Sequence, residues 1–271
     1  MDWVQASILG FIQGLTEFLP VSSSGHLVLA REMLGLEVAE SPAFEVVVHL
    51  GTLLSIVVVM RSMIAELFLG LPKLLHPSGW RQTFEQHRGF RHLVLLIPAT
   101  IPTILVALLL KDEIDQAFGS PQLAASMLLV TAVILYSTRR LEDKQTQSFI
   151  SFKTIFWMGL AQACAIIPGI SRSGSTIAAG CRASGNREQV GFFSFLMALP
   201  AILGAAILHS AAIADSNEPN SVLIAGFLTA FLSGTAALTL LLKLVKRGRL
   251  WVFSPYLVLV GGGYLLFSII S

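Results

Sequence analysis

The sequence predicts an all-α polytopic membrane protein made of two inverted-topology repeats, each a re-entrant helical hairpin followed by three transmembrane helices. Three observations predict it. First, 54% of the 271 residues are hydrophobic and 13% charged, whereas a soluble domain carries about 25% charged residues. Second, a polar interruption of apolar sequence, Gly14 to His26, returns in altered form as Gly159 to Thr176. Third, the basic residues gather in alternate connectors, as the positive-inside rule requires. Because the charges are confined to connectors, the chain reads as one membrane domain over 1–271, with repeat 1 at about 1–138, a connector at 139–152 and repeat 2 at about 153–271. A net charge of +2 gives no reason to expect nucleic acid as a partner.

Residues 3–19 are apolar but short for a span, and they end in Glu17 and Pro20. A crossing needs about 20 apolar residues, so the chain is expected to enter, turn at depth and return through a second half-helix from about Gly25 to Leu36. Apolar runs at about 44–60, 93–110 and 118–138 follow as spans, the first two joined by a polar connector, 61–92. After about 153 the pattern restarts, with an interruption around Pro168 to Thr176 and spans at about 190–213, 222–242 and 251–270. The pairs Ser22/Ser171, Ser24/Ser173, Gly25/Gly174, Phe44/Phe193 and Leu50/Leu199 all share a separation of 149 residues. One returning hairpin and three crossings per half force the second half to be inverted. Both termini are then outside, with Arg61, Lys73, Arg139, Arg140, Lys144, Arg182, Lys243 and Lys246 inside and Glu37, Glu40, Asp112 and Asp215 outside. The Met1-Asp2-Trp3 start shows neither a basic region nor a cleavage site and is expected to be retained. Cys164 and Cys181 have no metal-ligand spacing and read as small buried residues.

The chemistry is expected where the interruptions meet. Irregular backbone at membrane depth is tolerated only if buried in protein or lining a wet cavity. Glu17 and Arg172 would each cost about 2.5–3.5 kcal/mol at a helix centre, and hairpins meeting tip to tip would pair them. An internal brace needs no more than that pair, yet Ser22, Ser23, Ser24, Ser171, Ser173, Thr176 and His26 accompany it. The serines stand where helix N-caps and free amides are expected, and an arginine beside a helix N-terminus suits a phosphate. His49 and His209 read as internal or interfacial hydrogen-bonding residues, and His76, His87 and His92 belong to the connector.

Gln13-x-x-x-Glu17 with Pro20-Val-Ser-Ser-Ser-Gly-His26, and Pro168-Gly-Ile-Ser-Arg-Ser-Gly-Ser-Thr176, resemble the paired signature motifs of the bacterial undecaprenyl pyrophosphate phosphatases, the bacitracin-resistance family. The resemblance covers essentially the whole chain. It implies removal of the terminal phosphate from undecaprenyl diphosphate at the outer face of the bacterial plasma (inner) membrane, regenerating the lipid carrier for peptidoglycan synthesis. It also implies a divalent cation, Mg2+ or Ca2+, a membrane-lipid environment, and bacitracin as a competitor for the substrate; a homodimer is left open. On this resemblance Arg172 clamps the diphosphate, Ser23 is nucleophile or phosphate contact, His26 is a general acid/base, and Glu17 holds the metal or activates Ser23 or water. Gln13, Ser22, Ser24, Ser171, Ser173 and Thr176 are the expected substrate-binding residues. Many members carry glutamate where Gln13 stands, so Glu17 is the only carboxylate of this motif.

Two other readings compete. An inverted repeat with a midplane site also suits a transporter or flippase of a polyprenyl phosphate lipid, which needs no hydrolysis. The phosphatidic-acid phosphatase type shares Ser-Gly-His and Ser-Arg elements but uses a further histidine and aspartate. After Arg172 the only candidates are His209 and Asp215, near the end of a span, and the pattern fails.

Overall fold

The computed structural model describes residues 1–36, 42–75, 79–141, 150–184, 186–208, 216 and 218–270, and every regular element among them is helical. Expectations placed on Glu37, Glu40, His76, Lys144, His209 and Asp215 lie outside the described residues.

The first hairpin is α1, Trp3–Phe18, and α2, Ser23–Met33. A capping box starts α1: Asp2 accepts from Val4 N and Gln5 N, and the Gln5 side chain accepts from Asp2 N. Pro20 cannot continue the helix, having no N–H to donate. At about 1.5 Å per residue neither arm reaches across a hydrocarbon core of about 30 Å. Next, α3, Pro42–Val59, is tied to α2 by the Arg31–Glu45 ion pair at 2.7 Å. At Met60 the chain turns by 86° into α4, Arg61–Gly70, and a 3-10 turn, Leu71–Leu75. Thus much of the expected polar connector is helical, including α5, Trp80–Gln86, and the next span begins earlier, as α6, Arg88–Leu109. Then come α7, Lys111–Phe118, and α8, Pro121–Tyr136, whose first turn has the Ser120 cap and Pro121 that favour initiation.

The second hairpin is α9, Phe152–Cys164, and α10, Arg172–Ser184. It is followed by α11, Arg187–Leu208, α12, Asn220–Lys246, and α13, Ser254–Ile270. Five helical segments among the described residues are long and apolar enough to cross a membrane, and the count is six if the bent pair of α3 and α4 is one span. This is a multi-pass membrane protein, and lipid explains large apolar side chains such as Leu108, Leu259 and Ile269 on its outer surface.

Each hairpin leans on a long helix of the other half. In the first, α1 packs on α12 at small residues: a Cβ on Gly10 would sit 2.9 Å from Gly226 Cα, and one on Gly14 2.7 Å from Gly234 N. In the second, α9 packs on α6, with Gly159 against Ala99. Close backbone approach through small residues is how helices associate in lipid, where hydrophobic driving force is absent. Phe18, Leu128, Leu135, Phe193 and Phe195 fill the core between the hairpins.

Candidate active site

The two hairpin tips touch. A Cβ on Gly25 would lie 2.8 Å from Gly169 Cα, and Gly169 itself has φ +94° and faces Ala124 O so closely that no side chain fits. From α8, Thr131 Oγ1 donates to Gly169 O at 2.8 Å and accepts from Ser171 N at 3.0 Å, fixing the second tip. Across the junction Ser173 Oγ meets Leu19 O at 3.4 Å. Both helix starts are capped alike: Gly25 N donates to Ser22 Oγ at 3.3 Å, and Gly174 N donates to Ser171 Oγ at 3.1 Å. Ser22 is the only non-glycine residue with positive φ among the described residues, at +71°, a conformation that surrounding structure must hold in place.

Beside this junction lies a cavity of about 200 Å³ lined by Glu17, Ser22, Ser23, Ser24, His49, Ser171 and Arg172, with apolar walls from Phe118, Ile170 and Ile202. Glu17 is the only carboxylate among its lining residues. Its Oε1 accepts from Arg172 at 2.6 Å, and its Oε2 accepts from Ser23 Oγ at 2.6 Å and Gln13 Nε2 at 3.0 Å. The Glu17 and Arg172 side chains are 8% and 16% exposed, so each desolvated charge has its counter-charge from the opposite hairpin. The arginine also reaches Ser194 O at 3.4 Å. The Glu17 carboxylate can take the proton of the Ser23 hydroxyl and so activate it as a nucleophile, while the guanidinium beside it at a helix N-terminus binds an oxyanion.

The family model described as bacitracin resistance protein BacA matches residues 6–263. The chain belongs to the BacA family. Among curated relatives, the undecaprenyl-diphosphatase of Bacteroides fragilis is 41% identical over 267 residues, covering 96% of each chain. That of Desulforapulum autotrophicum is 41% identical over 278 residues, covering 100% of this chain and 99% of its own. The undecaprenyl-diphosphatase of Methanosphaera stadtmanae is 38% identical over 276 residues at the same coverage.

Set against the sequence expectations, the site brings together Gln13, Glu17, Ser22, Ser23, Ser24, Ser171 and Arg172. Thr176 lies behind it, bonded to Ser194 Oγ at 2.6 Å, and Ser173 braces the tips. His26 is not among the residues lining the cavity. Its Nδ1 meets Ser22 O and its Nε2 meets the Tyr256 hydroxyl, both at 2.8 Å, with the two rings stacked. His49, read from sequence as a hydrogen-bonding residue, does bond Glu45 O through Nδ1 at 2.7 Å, but it also presents Nε2 to Glu17 Oε2 at 3.9 Å on the cavity wall. The signal available was its place one helical turn beyond Glu45. Thr131, Ser194 and Tyr256 were not anticipated; each comes from a helix outside the two hairpins. Cys181 is buried as expected, whereas Cys164 is exposed, because α9 turns that face outward.

A divalent cation has little protein to bind here. Among the described residues no group of three or more His, Cys, Asp or Glu side chains could hold one. The donors at hand are oxygens: the Glu17 carboxylate, and the buried Gln13 Oε1, which has no hydrogen-bond partner. That set fits a hard cation bound through one carboxylate and completed by substrate phosphate oxygens, the habit of Mg2+.

Proposed function

We propose that this chain is an undecaprenyl-diphosphatase, hydrolysing undecaprenyl diphosphate to undecaprenyl phosphate and inorganic phosphate, recycling the lipid carrier and conferring bacitracin resistance. The observation that carries the reading is the contact of Glu17 with both Ser23 and Arg172 on a cavity shared by the two hairpin tips. Phosphoryl transfer asks for in-line positioning and charge neutralisation more than for elaborate covalent chemistry. Arg172 would clamp the diphosphate with its planar fork, and Ser22, Ser24 and Ser171 would contact the remaining oxygens.

Ser23 Oγ then attacks the terminal phosphorus and passes its proton to Glu17 Oε2, while the bond from phosphorus to the bridging oxygen breaks and undecaprenyl phosphate leaves. Water attacks the resulting phosphoserine; Ser23 Oγ departs, recovers the proton from Glu17, and inorganic phosphate is released. His26 is assigned the task of holding the Ser22 carbonyl and its strained turn. A divalent cation, Mg2+ or Ca2+, would be held by Glu17 with the diphosphate oxygens and would supply further neutralisation of their charge.

The charge asymmetry of the connectors supports an inner-membrane protein with both termini outside and the cavity opening to the outer side, where bacitracin would compete for the substrate. The inverted repeat read from the sequence is in keeping with the exchange of long helices between halves. Phosphate release from undecaprenyl diphosphate by purified protein tests the reading: the wild type should be active and Arg172→Ala inactive. A transporter would release none in either case.

A further inference from the structure

The cavity at the hairpin tips, about 200 Å³, has room for a diphosphate but not for a long prenyl chain. A larger space, an open groove of about 750 Å³, runs between α8 and the second hairpin. Its walls are mostly apolar and often small, including Val130, Trp157, Ala161 and Ala179. Trp157 is 46% exposed and Val130 39%, so the groove faces lipid. Near the tip it ends at Ile170, and Ile170 also lines the diphosphate cavity. Its other end carries Lys153 and Arg182. From Arg172 to Arg182 the rise of α10 is about 15 Å, roughly half the hydrocarbon thickness. The comparable groove on α12, about 550 Å³ between Phe231 and Lys243, shares no lining residue with the diphosphate cavity.

We propose that the groove between α8 and the second hairpin seats the head-proximal isoprene units of the substrate, entering past Ile170; this rests on the functional reading above. A prenyl chain is already solvated by lipid, so the groove offers it no hydrophobic gain comparable to burial from water. What it offers is shape: the alanines leave space for the methyl branches of an isoprenoid, and close packing restricts the chain. Restricting the chain orients the diphosphate toward Ser23 and Arg172, and orientation of a reacting group contributes directly to rate. The groove therefore acts as the specificity element for a long branched chain, separate from the polar residues that handle phosphate.

Two measurements test this. Ala161→Trp and Ala179→Trp, each filling the groove from a half-buried position, should raise the ratio of KM for undecaprenyl diphosphate to KM for dimethylallyl diphosphate by about tenfold or more, the scale of hydrophobic-pocket discrimination. Ala236→Trp, on the α12 groove, should leave that ratio at its wild-type value. An unchanged ratio in both second-hairpin variants, or an equal rise in Ala236→Trp, overturns the proposal. The second measurement needs no variant and no turnover. Cys164 is exposed and lines the groove, so a non-hydrolysable long-chain prenyl bisphosphonate should protect it from a membrane-permeant maleimide while methylenebisphosphonate should not. Equal labelling with and without the prenyl compound overturns the groove assignment. Absence of phosphate release by the wild type would overturn the hydrolase reading and leave the protection result to judge the groove alone.

Discussion

The two hairpins share their backbone devices and differ in their charges. Each has a serine that caps the returning helix, Ser22 and Ser171, with a partner hydroxyl close by, at 3.2 Å for Ser22–Ser24 and 3.3 Å for Ser171–Ser173. In each, the entering helix packs on a long helix from the other half. The chemistry is divided instead of duplicated. Glu17 faces the cavity and has the apolar Ile166 149 residues later, while Gln162, the match of Gln13 at that separation, turns to α6 and donates to Thr103 at 3.2 Å. Arg172 occupies the position matched by Ser23 in the first copy. Two tips of one sign would repel at contact, and a neutral pair would lack a base and a clamp. Divergence at these positions lets one contact supply both.

The sharpest way to break this comparison is to remove the carboxylate. Glu17→Gln should abolish phosphate release, because the amide can neither accept the Ser23 proton nor bind a cation as strongly. It should also lower the melting temperature, since losing one member of a buried ion pair costs about 3–5 kcal/mol. The double variant Glu17→Gln/Arg172→Gln should recover much of the melting temperature, having no stranded charge, and none of the activity. Recovery of both would reduce the pair to a structural brace.

Next in size is Arg172→Lys, which keeps the charge and loses the planar fork. Turnover should fall by roughly 2–4 kcal/mol in transition-state stabilisation, and near-normal kcat/KM would show that charge alone suffices at the second tip. A smaller effect is expected at His26, whose ring nitrogens are both engaged. His26→Gln should destabilise the protein by about 1–3 kcal/mol through the loss of two side-chain hydrogen bonds while retaining measurable turnover. A total loss of turnover at unchanged melting temperature would return proton transfer to His26. The least effect belongs to the other copy: Gln162→Ala should leave kcat within a few fold of wild type, because its amide contacts Thr103 and nothing in the cavity. A loss there as large as in Glu17→Gln would dissolve the asymmetry.

Much of this is legible in the sequence. Low charge content with repeated apolar runs identifies a membrane protein, since a chain with so few charged residues has lipid as its solvent. Pro20 and Pro168 with the serines locate the two breaks, because backbone chemistry there is local. The pairing of Glu17 with Arg172 also follows from the sequence, since each is too costly to leave alone at depth.

Other features depend on contacts between residues far apart in the chain. The 86° turn at Met60 and the helices within the expected connector follow from packing of α4 against α6, which no single stretch encodes. The second ring nitrogen of His26 bonds Tyr256, 230 residues away, and His49 reaches Glu17 only because α3 lies beside the first hairpin. The sequence by itself determined which residues are too polar for lipid and must find one another. Only the tertiary structure decided which of them face the cavity, because that depends on how helices from both halves rotate and pack around the two tips.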